Sequence, residues 1–224
     1  MYQRTIFVSV FYHIVLGNFS VPNGVFEQLV KGRRSDTRIV FLADNAEHFR
    51  ARLAPYASGD SVIIEEVARY EPKSFAVKAF RFFYSYLIFT GTTRVLATLG
   101  ARADLPPAGG NRHIAFLKAG IANSFGKIPV IKKRLVPWLF GKVFNGRPYR
   151  YLFEKYRPSL VFATSIAFIP ESELLAEAGR HGVPTVGMAC NWDHLNKYFI
   201  PRRADYLIVQ NEPMKLEGVN LQGY

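Results

Sequence analysis

Three observations predict an α/β fold built on a doubly wound, Rossmann-like parallel sheet. Short runs of β-branched and aromatic residues alternate with stretches of helical spacing at the start of the chain. The alternation lapses between Ser74 and Gly146, where apolar positions recur at helical spacing beside basic residues. It then resumes to the end, and this recurrence of strand and helix argues for a parallel sheet covered by helices. The expected organisation is one Rossmann-like domain over residues 1–224 with a helical, basic insertion at about 73–148.

The elements follow in order. Thr5 to Phe11 reads as the first strand, and Gly17, Pro22 and Gly24 punctuate a loop leading to a helix over Val25–Lys31. Arg38–Ala43 reads as a strand, Ala46–Tyr56 as a helix with Phe49 and Leu53 inward, and Ser61–Val67 as a third strand. In the insertion, Phe75, Ala79, Phe82, Phe83, Tyr86 and Leu87 form an expected apolar stripe, and Asp104-Leu-Pro-Pro-Ala-Gly-Gly110 an expected loop. Tyr149–Tyr156 reads as a helix, Ser159–Thr164 as a strand, and Glu171–His181 as a helix capped by Gly182. Thr185–Ala189 and Asp205–Val209 complete the strands.

Composition narrows the function classes. Hydrophobic residues make up 49% of the 224 residues and aromatics 15%, enough apolar surface to support a substantial core. Cys190 is the only cysteine, which excludes an internal disulfide and fits a reducing cytosol. The N-terminal apolar run lacks a small-residue cleavage pattern and is interrupted by His13, so it reads as a strand and not as a leader. In Phe80–Leu99 the uncharged stretch between Arg81 and Arg94 is twelve residues, short of the about 20 that a span needs.

The formal charge of +12 is unevenly placed. Residues 73–150 hold fourteen Lys/Arg against the single acid Asp104, and the rest of the chain sums to −1. Such a local excess points to an anionic partner, either a membrane surface at the inner face of the cell or, as the competing reading, nucleic acid.

In an open parallel sheet, ligands bind beyond the carboxyl ends of the strands. His13 and Asn18 fall after the first strand, Ser165 after the fourth, Asn191, Trp192 and Asp193 after the fifth, and Asn211 and Glu212 after the last. These are the candidate binding residues, with His13 and Asp193 as candidate general bases. Each also has a plainer role: Asp193 as a helix cap, Trp192 as a packing anchor, Ser165 as a turn or cap residue, Asn211 and Glu212 as cap and first-turn acid, His13 as a strand-end histidine. No G-x-S-x-G, G-x-x-x-x-G-K-[ST] or G-x-G-x-x-G occurs, and no metal-ligand clustering is present in the sequence, so no cofactor or metal is expected.

Between Leu160 and Tyr224 lie the segment Gly182-Val-Pro-Thr-Val-Gly-Met188, the turn Trp192-Asp193-His194 and Asn211-Glu212-Pro213-Met214-Lys215-Leu216-Glu217. On these motifs this part of the chain resembles bacterial GT-B-type glycosyltransferases of surface-polysaccharide loci, with His194 where the family pattern has Asn. The resemblance implies metal-independent transfer of a sugar from a nucleotide-sugar donor to a polysaccharide or lipid-linked acceptor held on this half. It further implies a second, donor-binding domain beginning just after a segment like EGVNLQGY, as a missing C-terminal part or a separate partner chain, without which this half is inactive. The alternative from another class is a non-catalytic binding module that uses the basic insertion on anionic lipid or nucleic acid.

Overall fold

The computed structural model describes residues 2–44, 47–68, 74–98 and 115–224. The chain divides into two units. The first comprises Met1–Glu71, Gly146–Cys190 and Arg203–Ile208, and the second Pro72–Asn145, Asn191–Arg202 and Val209–Tyr224.

The first unit is the α/β part. Strands β1 (Arg4–Val10), β2 (Thr37–Ala43), β3 (Val62–Glu66), β4 (Leu160–Ala163), β5 (Thr185–Met188) and β6 (Tyr206–Ile208) form one sheet in the order β3-β2-β1-β4-β5-β6. Every pairing between these strands is parallel. The order reverses between β1 and β4, the topological switch of doubly wound sheets.

Side-chain alternation explains why helices cover both faces. Val8 and Val10 of β1 join Ile39 and Phe41 of β2 in a buried cluster with Val15, Leu16 and Phe19 of helix α1 (His13–Phe19), Phe26 of α2 (Val25–Gly32), and Phe49 and Leu53 of α3 (Glu47–Leu53). Phe7, Val40, Leu42 and Val161 point the other way, onto Leu152 and Phe153 of a helix at Arg150–Tyr156 and Leu174 and Ala178 of a helix at Ile169–Arg180. Residues two apart lie on one face of a strand, so central strands that carry apolar residues on both faces must be covered twice.

The cap expected at Gly182 is present. Gly182 has φ +65°, its N–H donates to the Gly179 carbonyl at 3.3 Å, and the Val183 N–H donates to the Ala178 carbonyl at 3.0 Å. This pair of bonds is the Schellman arrangement. The loop expected after the first strand is instead α1, because Val15, Leu16 and Phe19 share one face of a helical turn and bury it. His13 and Asn18 therefore lie on a helix.

The second unit is helical in its described residues: α4 (Phe75–Ser85), α5 (Gly91–Thr98), α6 (Ala115–Ser124), α7 (Val136–Val143), then, after α8 (Arg150–Tyr156) and α9 (Ile169–Arg180) of the first unit, α10 (His194–Lys197) and α11 (Glu212–Glu217). Residues 72–145 thus share a unit with two later segments of the chain. The stripe expected on α4 is displaced: Val77, Phe80 and Tyr84 are buried, whereas Phe75 is 86% exposed. So many α4 positions are apolar that several helical phases fit the sequence equally well, and packing selects Val77-Phe80-Tyr84-Leu87. The expected loop at Asp104–Gly110 lies outside the described residues. Among the described residues no helix is long and apolar enough to cross a membrane.

Candidate functional site

Within the α/β unit the site is built at the switch between β1 and β4. Past the last paired residues, Val8 and Phe162, the strands are held by side chains: Ser9 Oγ accepts the Thr164 N–H at 3.0 Å, and Thr164 Oγ1 donates to the Ser9 carbonyl at 2.7 Å. Both residues are fully buried, so these bonds fix where the two strand-end loops depart. The Tyr12 ring stacks on Phe168 with centroids 4.0 Å apart, one from each loop.

His13 opens α1 directly after β1 and is exposed. Its ring stacks on His48 of α3, with centroids 4.2 Å apart and planes at 14°, and Phe49 supports both. Two imidazoles, from the first turns of the helices that follow β1 and β2, are thereby brought together at the carboxyl edge of the sheet. An imidazole there can take a proton from a hydroxyl placed within hydrogen-bond reach, about 2.6–3.2 Å. His48 was not singled out from the sequence, and neither was Asp44, a buried carboxylate directly after β2. The signal available for both was their position after an apolar strand.

Ser165 has a structural job. It is fully buried, and its Oγ lies 3.1 Å from Cys190 Sγ, which latches the loop after β4 to the end of β5. The Ile166 N–H reinforces the latch by donating to the Met188 carbonyl at 3.1 Å. Asn18 is exposed on α1.

The remaining expected residues belong to the second unit. Trp192 is 65% exposed and so does not serve as a packing anchor. Its indole offers a flat apolar face for stacking. Asp193 precedes α10 but makes no side-chain cap bond, pairing instead with Lys197 at 2.5 Å. Its Oδ1 is buried without a hydrogen-bond partner among the described residues. Asn191 accepts the His194 N–H on its carbonyl at 3.3 Å, and burial pushes the His194 imidazole below its ordinary pKa.

This turn is seated firmly. Thr90 Oγ1 and Thr93 Oγ1 donate to the carbonyls of Asn196 and Lys197, each at 2.7 Å. Gln222, almost fully buried, donates to the Leu195 and Tyr198 carbonyls at 2.7 and 3.0 Å and accepts the Ile200 N–H at 2.9 Å. The Asn211–Glu217 motif is largely spent in the same way. Asn211 Oδ1 caps α11 by accepting the Met214 N–H at 2.9 Å, Glu212 pairs with Lys215 at 3.0 Å, Met214 is buried, and Glu217 accepts the Asn196 amide at 2.8 Å. Among the described residues no group of three His, Cys, Asp or Glu side chains gathers to hold a metal ion.

The strand order and the parallel pairing together define a doubly wound, Rossmann-like α/β protein. Comparison with protein-family models, with curated proteins and with solved structures returned no match to the chain.

Proposed function

We propose that the chain is the acceptor-binding half of a GT-B-type glycosyltransferase that transfers a sugar from a nucleotide-sugar donor to a polysaccharide or lipid-linked acceptor. The observation that carries the reading is the stacked His13–His48 pair beyond the carboxyl ends of β1 and β2, the edge of the sheet on which this fold class binds ligands. In this mechanism an acceptor hydroxyl gives its proton to His13. The freed oxygen bonds to the anomeric carbon of the donor, and the bond from that carbon to the nucleoside diphosphate breaks, its electron pair leaving with the phosphate oxygen. The donor is held by a second domain or partner chain. Asp193, a residue of the second unit whose Oδ1 has no hydrogen-bond partner among the described residues, is the alternative base.

Calorimetric titration of this chain with UDP-, GDP-, CDP- and dTDP-sugars, beside short oligosaccharides, tests the division of labour. Saccharide binding that is lost in His13→Ala, with no tight nucleotide-sugar binding, is expected. Micromolar nucleotide-sugar binding would overturn the assignment of this half to the acceptor.

A further inference from the structure

Two π-helical turns of the second unit, Ile131–Leu135 and Gly218–Gln222, border a cavity of about 410 Å³. Such turns are rare, and they recur at functional sites. Lys127, Lys132 and Lys133 line the cavity together with Asn220 and the backbone of Gly126 and Gly223, and no carboxylate lines it. The glycine at 126 is required by packing, because a Cβ there would collide with the Leu87 carbonyl. The chain is therefore drawn in tightly beside the lysines.

Lys132 is half-buried. Its Nζ donates to the Leu221 carbonyl at 3.2 Å and stands 5.8 Å from the centre of the Phe199 ring. Burial holds its pKa below the ordinary lysine value, a cost that a bound anion would relieve. The wider unit has the same sign: among its described residues twelve Lys/Arg stand against Asp193, Glu212 and Glu217. Around the cavity the sequence also exposes apolar side chains, with Ile128 at 45%, Val130 at 61% and Val219 at 51%. Amines inside and apolar groups at the rim match a phosphate carried on an apolar chain, since the headgroup needs charge and the tail needs an apolar surface.

We propose that this cavity is a binding site for a phosphate or diphosphate group, with Lys127, Lys132 and Lys133 as its charged ligands. The site exists independently of glycosyl transfer; only its use for a lipid-linked acceptor rests on the function proposed above.

The test pairs two probes. Calorimetry with inorganic pyrophosphate reads the site itself, and co-sedimentation with phosphatidylcholine or phosphatidylcholine–phosphatidylglycerol vesicles at low and high salt reads a lipid source. Lys127 and Lys133 are exposed, so Lys127→Gln/Lys133→Gln spares the fold. It is expected to weaken pyrophosphate binding at least tenfold, with Lys132→Gln weakening it further. Ile128→Ser/Val130→Ser is expected to leave pyrophosphate binding intact and to lose the anionic vesicles, which assigns the phosphate to a lipid headgroup. Pyrophosphate binding without vesicle binding supports the site and assigns it a soluble phosphate ligand. Absence of pyrophosphate binding, or binding unchanged in the lysine variants, would overturn the proposal.

Discussion

Glu173 lies in α9, a helix whose residues from Ile169 to Ala178 are all buried. Its carboxylate is 1% exposed, and neither oxygen has a hydrogen-bond partner among the described residues. The neighbouring Glu177 is equally buried but is served by Arg147 at 3.0 and 2.5 Å, Arg180 at 2.9 Å and His181 at 3.0 Å. Burial raises Glu173 from 4.5 to about 7, the attraction of Arg180 offsetting only part of this. In the unfolded chain the group ionises near 4.5, so between about 4.5 and 7 the folded state binds more protons than the unfolded state. Stability therefore falls as pH rises through that window, and the full penalty stands above it. With one pKa unit worth about 1.4 kcal/mol, the penalty is about 1 kcal/mol at pH 5 and about 3 kcal/mol at pH 8. Glu173→Gln removes the charge and keeps the shape. Urea unfolding of both proteins from pH 5 to 8.5 is expected to show the variant's advantage growing to about 3 kcal/mol. Parallel stability profiles, or a variant that is less stable at pH 8, would show that the Glu173 carboxylate carries no burial penalty.

Gly187→Ala places a Cβ 2.6 Å from Ile166 Cγ2 and 2.9 Å from the Ala204 Cβ, so overpacking should cost about 2 kcal/mol and lower Tm by roughly 4–8 °C in a thermal melt. Asn211→Ala removes the α11 cap and should cost about 1 kcal/mol, with Asn211→Asp restoring most of it. Asp193→Asn breaks the pair with Lys197, worth at most about 1 kcal/mol of stability. On the proposed function, the same change in a chain completed with a donor-binding domain should lower kcat/KM at least about tenfold, roughly 1.4 kcal/mol of transition-state stabilisation. Retained activity with a small change in Tm would leave Asp193 a purely structural residue.

The α/β rhythm was legible because β1, β2 and β4 are apolar at consecutive positions and must be buried on both faces, while α2, α3 and α9 carry their apolar residues at helical spacing. The Gly182 cap was legible because a left-handed residue after a helix calls for glycine. α1 was not, since Gly17 and Asn18 weaken the helical signal and only packing of Val15, Leu16 and Phe19 decides it. The His13–His48 pair could not be read because stacking depends on the register that aligns Val10 with Ala43. The phosphate cavity joins segments some ninety residues apart, a juxtaposition that no local pattern encodes.

On the proposed function, an acceptor saccharide meets the histidine pair at the strand ends. The most direct test of this contact follows the imidazole nitrogen resonances of His13 and His48 by NMR while short oligosaccharides, and separately nucleotide sugars, are added. Saccharides are expected to move both imidazoles in a saturable way and nucleotide sugars to leave them unmoved. Histidines silent to every saccharide, or moved by a nucleotide sugar at micromolar concentration, would contradict the proposed function.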